Sequence, residues 1–314
     1  MYRNTIRLLQ RTAAVFVLTS LSVSHAAPGG VSDGLKVWLR ASTGIEAVTG
    51  EQVVFWADES GAENHAQFNP ANIYGELPPV FIASNPDAGG QSTVRFFNRN
   101  ALEIDLTWLA GSDYTIFVVN GRDRFGLANF YIAGDSLLNN RNLTLGYEQP
   151  DLLRQAHFNN DLDALVEGYS GLPVWSLDSF RFAQSEGRDL FHNGALVASD
   201  DNAIPLLSNT GTTLGHFRAF DTLFWFQGDL AEVVVYDRAL TADERLRVEA
   251  ELAGRNGGSL SLDDYVPCTP DLESHGAYVR ELARAAKIFR KAGLLTRGEA
   301  GRAIARGANS DCGQ

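Results

Sequence analysis

Apolar and polar residues alternate with a period of two in short runs from Val31 to Tyr236, and clusters of Gly, Pro, Asn and Asp separate the runs. This is the pattern of half-buried strands joined by turns. The runs read as strands are Leu35–Leu39, Val53–Trp56, Gln91–Phe97, Leu102–Leu106, Tyr114–Asn120, Phe130–Ala133 and Leu143–Tyr147, then Pro173–Ala183, Thr213–Gly215 and Leu223–Gly228. Tyr114–Asn120 is so apolar that it predicts a strand buried on both faces. Gly187–Val197 reads as a hairpin turning at Asn193-Gly194, a dipeptide suited to the positive φ angles of a two-residue turn. The passage holding Pro70, Pro78, Pro79 and Pro86 reads as surface.

The last run, Leu230–Tyr236, is apolar or aromatic apart from Glu232, which is expected to be hydrogen-bonded and structural because an unpaired buried carboxylate is costly. Thr241 and Glu244 then form a capping-box pattern, in which hydroxyl and carboxylate satisfy free N–H groups at a helix start. Leu246, Val248, Ala250, Leu252 and Ala253 give that helix an apolar side, and Gly254, Asn256, Gly257 and Gly258 stop it. Many short strands followed by one helix predict an all-β fold, a sandwich or a barrel.

The termini differ in kind. Arg3, Arg7 and Arg11 precede an apolar run, Thr12–Val23, that is too short to span a bilayer, and Ser24-His25-Ala26 supplies small residues for cleavage. Residues 1–26 are read as a secretory leader, which makes the product secreted, periplasmic or extracellular. After the β body, 27–258, comes a linker, 259–270, and a tail, 271–314, with two helices expected over Leu272–Lys291 and Arg297–Arg306. The chain's two cysteines, Cys268 and Cys312, have no competitors in an oxidising compartment and read as a disulfide. In the chain-entropy view, closing a loop of roughly 45 residues contributes on the order of 3–4 kcal/mol.

Charge excludes some partners. Without Arg3, Arg7 and Arg11 the formal charge moves from −12 to −15, and the excess lies in the body, since the tail holds eight Lys/Arg against five Asp/Glu. An acidic body repels nucleic acid and anionic lipid, and no apolar run suits membrane insertion. There is no Gly-rich phosphate loop, no G-x-S-x-G elbow and no H-E-x-x-H.

Several segments carry a family likeness. L-K-V-W-L-R-A-S-T-G-I from Leu35, W-A-D-E-S-G-A-E-N-H-A from Trp56 and Y-T-I-F-V-V from Tyr114 precede L-F-H-N-G from Leu190 and G-D-L-A-E-V-V-V-Y-D-R-A-L-T-A-D-E-R from Gly228. Together they resemble the laminin-G-like branch of the concanavalin A-like lectin/glucanase superfamily, over roughly Gly34 to Gly258. The resemblance implies two curved antiparallel sheets in a jelly-roll sandwich, with glycans met on the concave face or at one rim. It does not name an activity, because the superfamily holds lectins, hydrolases, lyases and inert modules.

Candidate chemistry is sparse. Alternation places Glu103 and Asp105 on one face, as retaining glycosidases of this superfamily need, but Thr107 and Trp108 stand where a further acid would close the motif. The segment then reads as a strand at the sandwich edge with exposed acids. The densest polar cluster, Arg154, His157, Asn159, Asn160 and Asp161 with Asp163 and Phe158, offers hydrogen bonds for sugar hydroxyls beside an aromatic face, and equally reads as a polar turn. Tyr169 and Trp175, near Pro173, are candidates for stacking on a sugar ring. Asp58, Glu59, Glu63 and Asn64 offer oxygens to calcium, though not at EF-hand spacing, and no other cofactor is implied. The expectation is an exported, non-enzymatic module that binds a glycan or another cell-surface component. A polysaccharide-degrading hydrolase or lyase, and a structural interaction domain, are the alternatives.

Overall fold

A computed structural model of the chain describes residues 26–123, 128–166, 174–220, 223–258, 260–268 and 274–313. The leader, 1–26, lies outside the described residues apart from Ala26. Strands β1 (Leu35–Arg40), β2 (Ile45–Val48), β3 (Gln52–Trp56), β4 (Ala66–Gln67), β5 (Val80–Asn85) and β6 (Gln91–Phe96) come first. They are followed by β7 (Leu102–Ile104), β8 (Tyr114–Arg122), β9 (Asn129–Ala133), β10 (Leu143–Gln149), β11 (Leu152–His157) and β12 (Asp161–Leu165). The last are β13 (Val174–Ala183), β14 (Gly187–His192), β15 (Ala195–Asp200), β16 (Thr213–Leu214) and β17 (Gly228–Tyr236). Helices α1 (Ala242–Asn256), α2 (Leu262–Tyr265), α3 (His275–Lys291) and α4 (Arg297–Ala308) close the chain.

The fold is all-β and antiparallel, with a few helices at its C-terminal end. The strands do not divide into two separate sheets. One path runs β15-β14-β13-β8-β17, and β17 then hands its hydrogen bonds to β6 through Gly228–Leu230 and to β1 through its later residues. From β6 the ladder continues through β5 to β3, and on through β4, β7, β16, β9, β10 and β11 to β12. The sheet curls until β12 touches β14 and β15, so it is nearly closed, like a barrel. Within it β7 lies between β4 and β16, so Glu103 is not on an edge strand as expected.

Inward-facing residues of this sheet, among them Trp56, Phe96, Ile116, Leu145, Phe180 and Val235, form the main core. A second core lies on the outer side of β1, β17, β8 and β13, where Trp38, Phe117, Val234 and Tyr236 meet Val248 and Leu252 of α1. Thr241 and Glu244 make the expected capping box, and Gly257, at φ +70°, ends the helix. The other side of α1, Leu246 and Ala250, packs on Tyr278, Leu282, Ala285 and Phe289 of α3. The tail therefore docks through α1. Cys268 and Cys312 form the disulfide, with Cα atoms 5.2 Å apart.

Glu232 explains why an acid stands in an apolar strand. It is 1% exposed and accepts hydrogen bonds from Trp38 Nε1 (2.6 Å) and Asn256 Nδ2 (3.0 Å), and it pairs with Arg255. One carboxylate thus ties β17 to β1 and to the end of α1. Removing one partner of such a group strands the others, at a cost of about 3–5 kcal/mol. Glu232→Ala is expected to lower the unfolding free energy by about that amount in urea titration, and Glu232→Gln, which keeps an acceptor, by less. Equal losses in the two variants would show that the carboxylate's charge, rather than its acceptor geometry, matters.

Candidate functional site

Residues 154–163, read from sequence as a polar cluster, fold as the hairpin β11–β12. Phe158 and Asn159 form its two-residue turn at φ +32° and +58°, the left-handed pair that a tight hairpin requires. Strand alternation then sorts the side chains. Gln155 and His157 point to the core, while Arg154, Ala156, Asp161 and Asp163 face outward.

Register builds a hollow on that outer face. Across β9, β10, β11 and β12 one row reads Ala133, Thr144, Ala156, Asp161 and the next reads Phe130, Gly146, Arg154, Asp163. Small residues in the middle of both rows keep the floor low. A Cβ on Gly146 would come within 2.6 Å of the Phe130 backbone, so this position needs glycine. The segment after β16 supplies a wall of Phe217, Phe220 and Phe224, and Phe158 joins it from the hairpin turn. Ring centroids are 4.9 Å apart for Phe217–Phe220, 5.0 Å for Phe220–Phe224 and 5.6 Å for Phe130–Phe217. The enclosed cavity is about 230 Å³.

Charge is concentrated at one side. Arg154 makes a bidentate pair with Asp163 (2.8 Å for both bonds), donates to Glu148 (2.8 Å) and lies 3.4 Å from Asp161. Burial raises the pKa values of Glu148 and Asp161, Arg154 pulls them back, and the neighbouring acids add to the rise. Thr144 is 2% exposed, and its Oγ1 has no hydrogen-bond partner among the described residues.

The structure therefore brings Arg154, Asn159 and Asp161 together and separates them from the other candidates. His157 is fully buried: its Nδ1 meets the Ile204 carbonyl at 2.9 Å and its Nε2 meets the Tyr114 hydroxyl at 3.0 Å. A carbonyl can only accept, so Nδ1 carries the proton and Tyr114 donates to Nε2. Asn160 is tied to Asn140 (2.8 Å) and Asn202 (2.6 Å), outside the cavity lining. Trp175 is not a loop residue. It lies in β13, its ring packs against Gly121 beside the second core, and it is not among the residues lining the hollow. Tyr169 lies outside the described residues. The Phe217–Phe224 wall was missed, since nothing in its spacing links it to Arg154.

The other candidates are committed elsewhere. Asp58 accepts from the backbone N–H groups of Trp38 (2.7 Å), Ser60 (2.9 Å) and Asn64 (3.0 Å) and from Ser60 Oγ (2.7 Å). Its acceptor sites are thus filled by donors of the loop and of β1, and Glu59 pairs with Arg40. Among the described residues no group of three or more His, Cys, Asp or Glu is placed to hold a metal ion. Glu103 and Asp105 border a more open cleft of about 530 Å³. There Glu103 is held by Asn69 (3.0 Å) and Arg218 (2.7 Å), and Asp105 bonds Thr107. Arg218 in turn is clamped by the buried Glu76, which His216 also contacts.

No family model and no curated protein matches the chain. Solved structures show likenesses of chain trace at low identity. Domain 4 of AbnA, a GH43 extracellular arabinanase from Geobacillus stearothermophilus in complex with arabinotriose, is 13% identical with a TM-score of 0.49, over 68% of this chain and 97% of that one. Trypanosoma rangeli sialidase is 15% identical with a TM-score of 0.47, over 72% of this chain and 34% of the sialidase. The Ruminococcus gnavus IT-sialidase CBM40 bound to α2,6 sialyllactose is 20% identical with a TM-score of 0.37, over 44% of this chain and 83% of that one. Among the described residues no helix is long and apolar enough to cross a membrane.

Burial pushes the pKa of His157 down from 6.5 to about 4. As pH falls below 6.5 the unfolded chain takes up this proton first, so the contribution is lost between about pH 6.5 and 4, by up to about 3 kcal/mol. Unfolding free energy measured from pH 7 to 4.5 is expected to fall less steeply in His157→Gln than in the parent. Parallel slopes would show that His157 does not titrate differently on folding.

Proposed function

We propose that the chain is an exported module that binds the end of a glycan in the hollow between β9–β12 and the rings of Phe217, Phe220 and Phe224, on a curled antiparallel scaffold related to the laminin-G-like, concanavalin A-like kind. The observation that carries this reading is the meeting of an aromatic wall with an outward-facing, hydrogen-bonding floor of Arg154, Asp161 and Asn159. Aromatic faces pack on the C–H face of a sugar ring, and fixed carboxylates and amides meet its hydroxyls. At about 230 Å³ the cavity is smaller than the roughly 300–1,000 Å³ typical of drug-sized ligands, which favours one terminal sugar over an internal stretch of chain.

Binding is favoured over cleavage because Arg154 engages all three acids at once, which holds them as fixed acceptors. Export is supported by the leader-like N-terminus and the disulfide. Calcium has no part in this reading.

The test is a glycan array followed by titration calorimetry. Phe220→Ala is expected to weaken binding about tenfold or more, the cost of losing a buried aromatic contact, with an unchanged circular dichroism spectrum. Trp175→Phe is expected to leave binding as it was. Release of reducing ends or unsaturated uronates from a polysaccharide would replace this reading with an enzymatic one, and loss of binding in Trp175→Phe alone would move the site.

A further inference from the structure

The geometry points to a cationic ligand: a glycan terminus carrying a free ammonium group, as on an unacetylated amino sugar. The inference rests on the glycan reading above and names the sugar class that the same hollow selects.

Charge comes first. Glu148, Asp161 and Asp163 all pair with the guanidinium of Arg154, and Asp163 takes two of its bonds; Arg188, which also acts on Asp161, is itself paired with Asp200, so among the described residues the acids remain in excess. A uronate, sialate or sulfated sugar would meet like charge in a half-buried site, where repulsion is less screened than in water. A neutral sugar would leave the excess as it is. An ammonium relieves it. Burial, and after it repulsion from neighbouring acids, raises the carboxyl groups of Glu148 and Asp161 against the pull of Arg154 and, on Asp161, of Arg188.

The aromatic wall agrees with this sign. Phenylalanine offers no hydroxyl or N–H to a ligand, but the negative face of its ring attracts a cation within about 6 Å of the centroid. Phe158, Phe217, Phe220 and Phe224 line the hollow together with Glu148 and Asp161. Two of these rings are carried by residues in the left-handed region, Phe158 at φ +32° and Phe224 at φ +60°, a conformation that bulky residues avoid.

An independent observation lies in the floor. Thr144 is 2% exposed, it borders the hollow, and its buried Oγ1 has no partner among the described residues. In the register, Thr144 and Asp161 stand on either side of Ala156 in one row. An ammonium carries three N–H donors; Glu148 and Asp161, both drawn to Arg154 Nη1, offer charged acceptors, and Thr144 stands in the floor of the same hollow.

The experiment is calorimetric titration of the full chain with a β-1,4-linked glucosamine tetrasaccharide, its fully N-acetylated counterpart, a galacturonate tetrasaccharide and tetralysine. The free amine is expected to bind about tenfold or more tighter than the acetylated sugar, and to weaken in about 0.5 M NaCl. Thr144→Val, nearly isosteric, should lower that affinity severalfold without loss of stability, because it removes an unsatisfied buried hydroxyl. Glu148→Gln with Asp161→Asn should abolish the preference. Phe220→Leu, which keeps the apolar volume, should weaken the amine more than the acetylated sugar. Equal binding of both sugars, or preference for the uronate, overturns the cationic inference and leaves the glycan module standing. Binding of tetralysine with no sugar bound overturns the glycan reading and this inference with it, as does binding of none of the four. A preference that survives the double variant overturns the assignment to this hollow.

Discussion

The structure depends on a bulge in β17. Leu230, Val233 and Val235 face the main core, whereas Ala231 and Glu232 both lie on the helix side with Val234 and Tyr236. The register shift between Leu230 and Glu232 against β8 produces this, because two consecutive residues then oppose one. Without the extra residue, period-two alternation would send Glu232 into the apolar core. With it, the carboxylate meets Trp38, Arg255 and Asn256, and the strand changes partner from β6 to β1 at the same place. One irregularity therefore sets where α1 docks and how the sheet continues around its corner.

That arrangement gives the two outer faces different fates. The face of β1, β17, β8 and β13 is closed by α1, and α1 is closed by the tail. A buried Glu249 joins these layers, accepting from Ser179 of β13 (2.6 Å) and from Tyr265 of α2 (2.5 Å) and pairing with Arg245. Each donor satisfies a carboxylate that burial alone would penalise, so the network fixes geometry more than it adds stability. Among the described residues the outer face of β9–β12 is bordered by the single 3-10 turn Arg218–Phe220 and is covered by no α-helix. Its side chains are the polar half of ordinary strand alternation, and the hollow forms because Ala156 and Gly146 stand in the middle of the rows.

Much of the strand content was legible. Asn193-Gly194 turned where expected, at φ +50° and +86°, and the capping box, the helix stop and the cysteine pair all appeared at their residues. The hairpin β11–β12 was hidden for a physical reason. On β11 two inward positions, Gln155 and His157, are polar residues whose hydrogen bonds to Tyr114 and to backbone carbonyls let them enter the core beside Leu153, Leu162 and Ala164, so the apolar alternation was interrupted there. Its turn is Phe158-Asn159, with no glycine to announce a positive φ. The short strand β5 was hidden among prolines. The division into two sheets was expected from family likeness, and the partner change of β17 is a long-range property that no local pattern carries.

The same reasoning separates the two kinds of aromatic residue in this chain. Trp38, Trp56 and Tyr131 are buried because strand alternation and the curl of the sheet leave them no other place, and their neighbours would be apolar in any such fold. Phe158, Phe220 and Phe224 are half-exposed, two of them on backbone that resists their shape, and they line the hollow that Glu148 and Asp161 also line. Burial alone does not account for them, since deeper sites beside Phe130 and Phe217 already hold the segment to the sheet. These rings pack on the Phe130–Phe217 cluster from outside, at the cost of positive φ at Phe158 and Phe224 and of partly exposed apolar area. The helix-covered face is filled by α1, whereas the β9–β12 face keeps a hollow beside these rings.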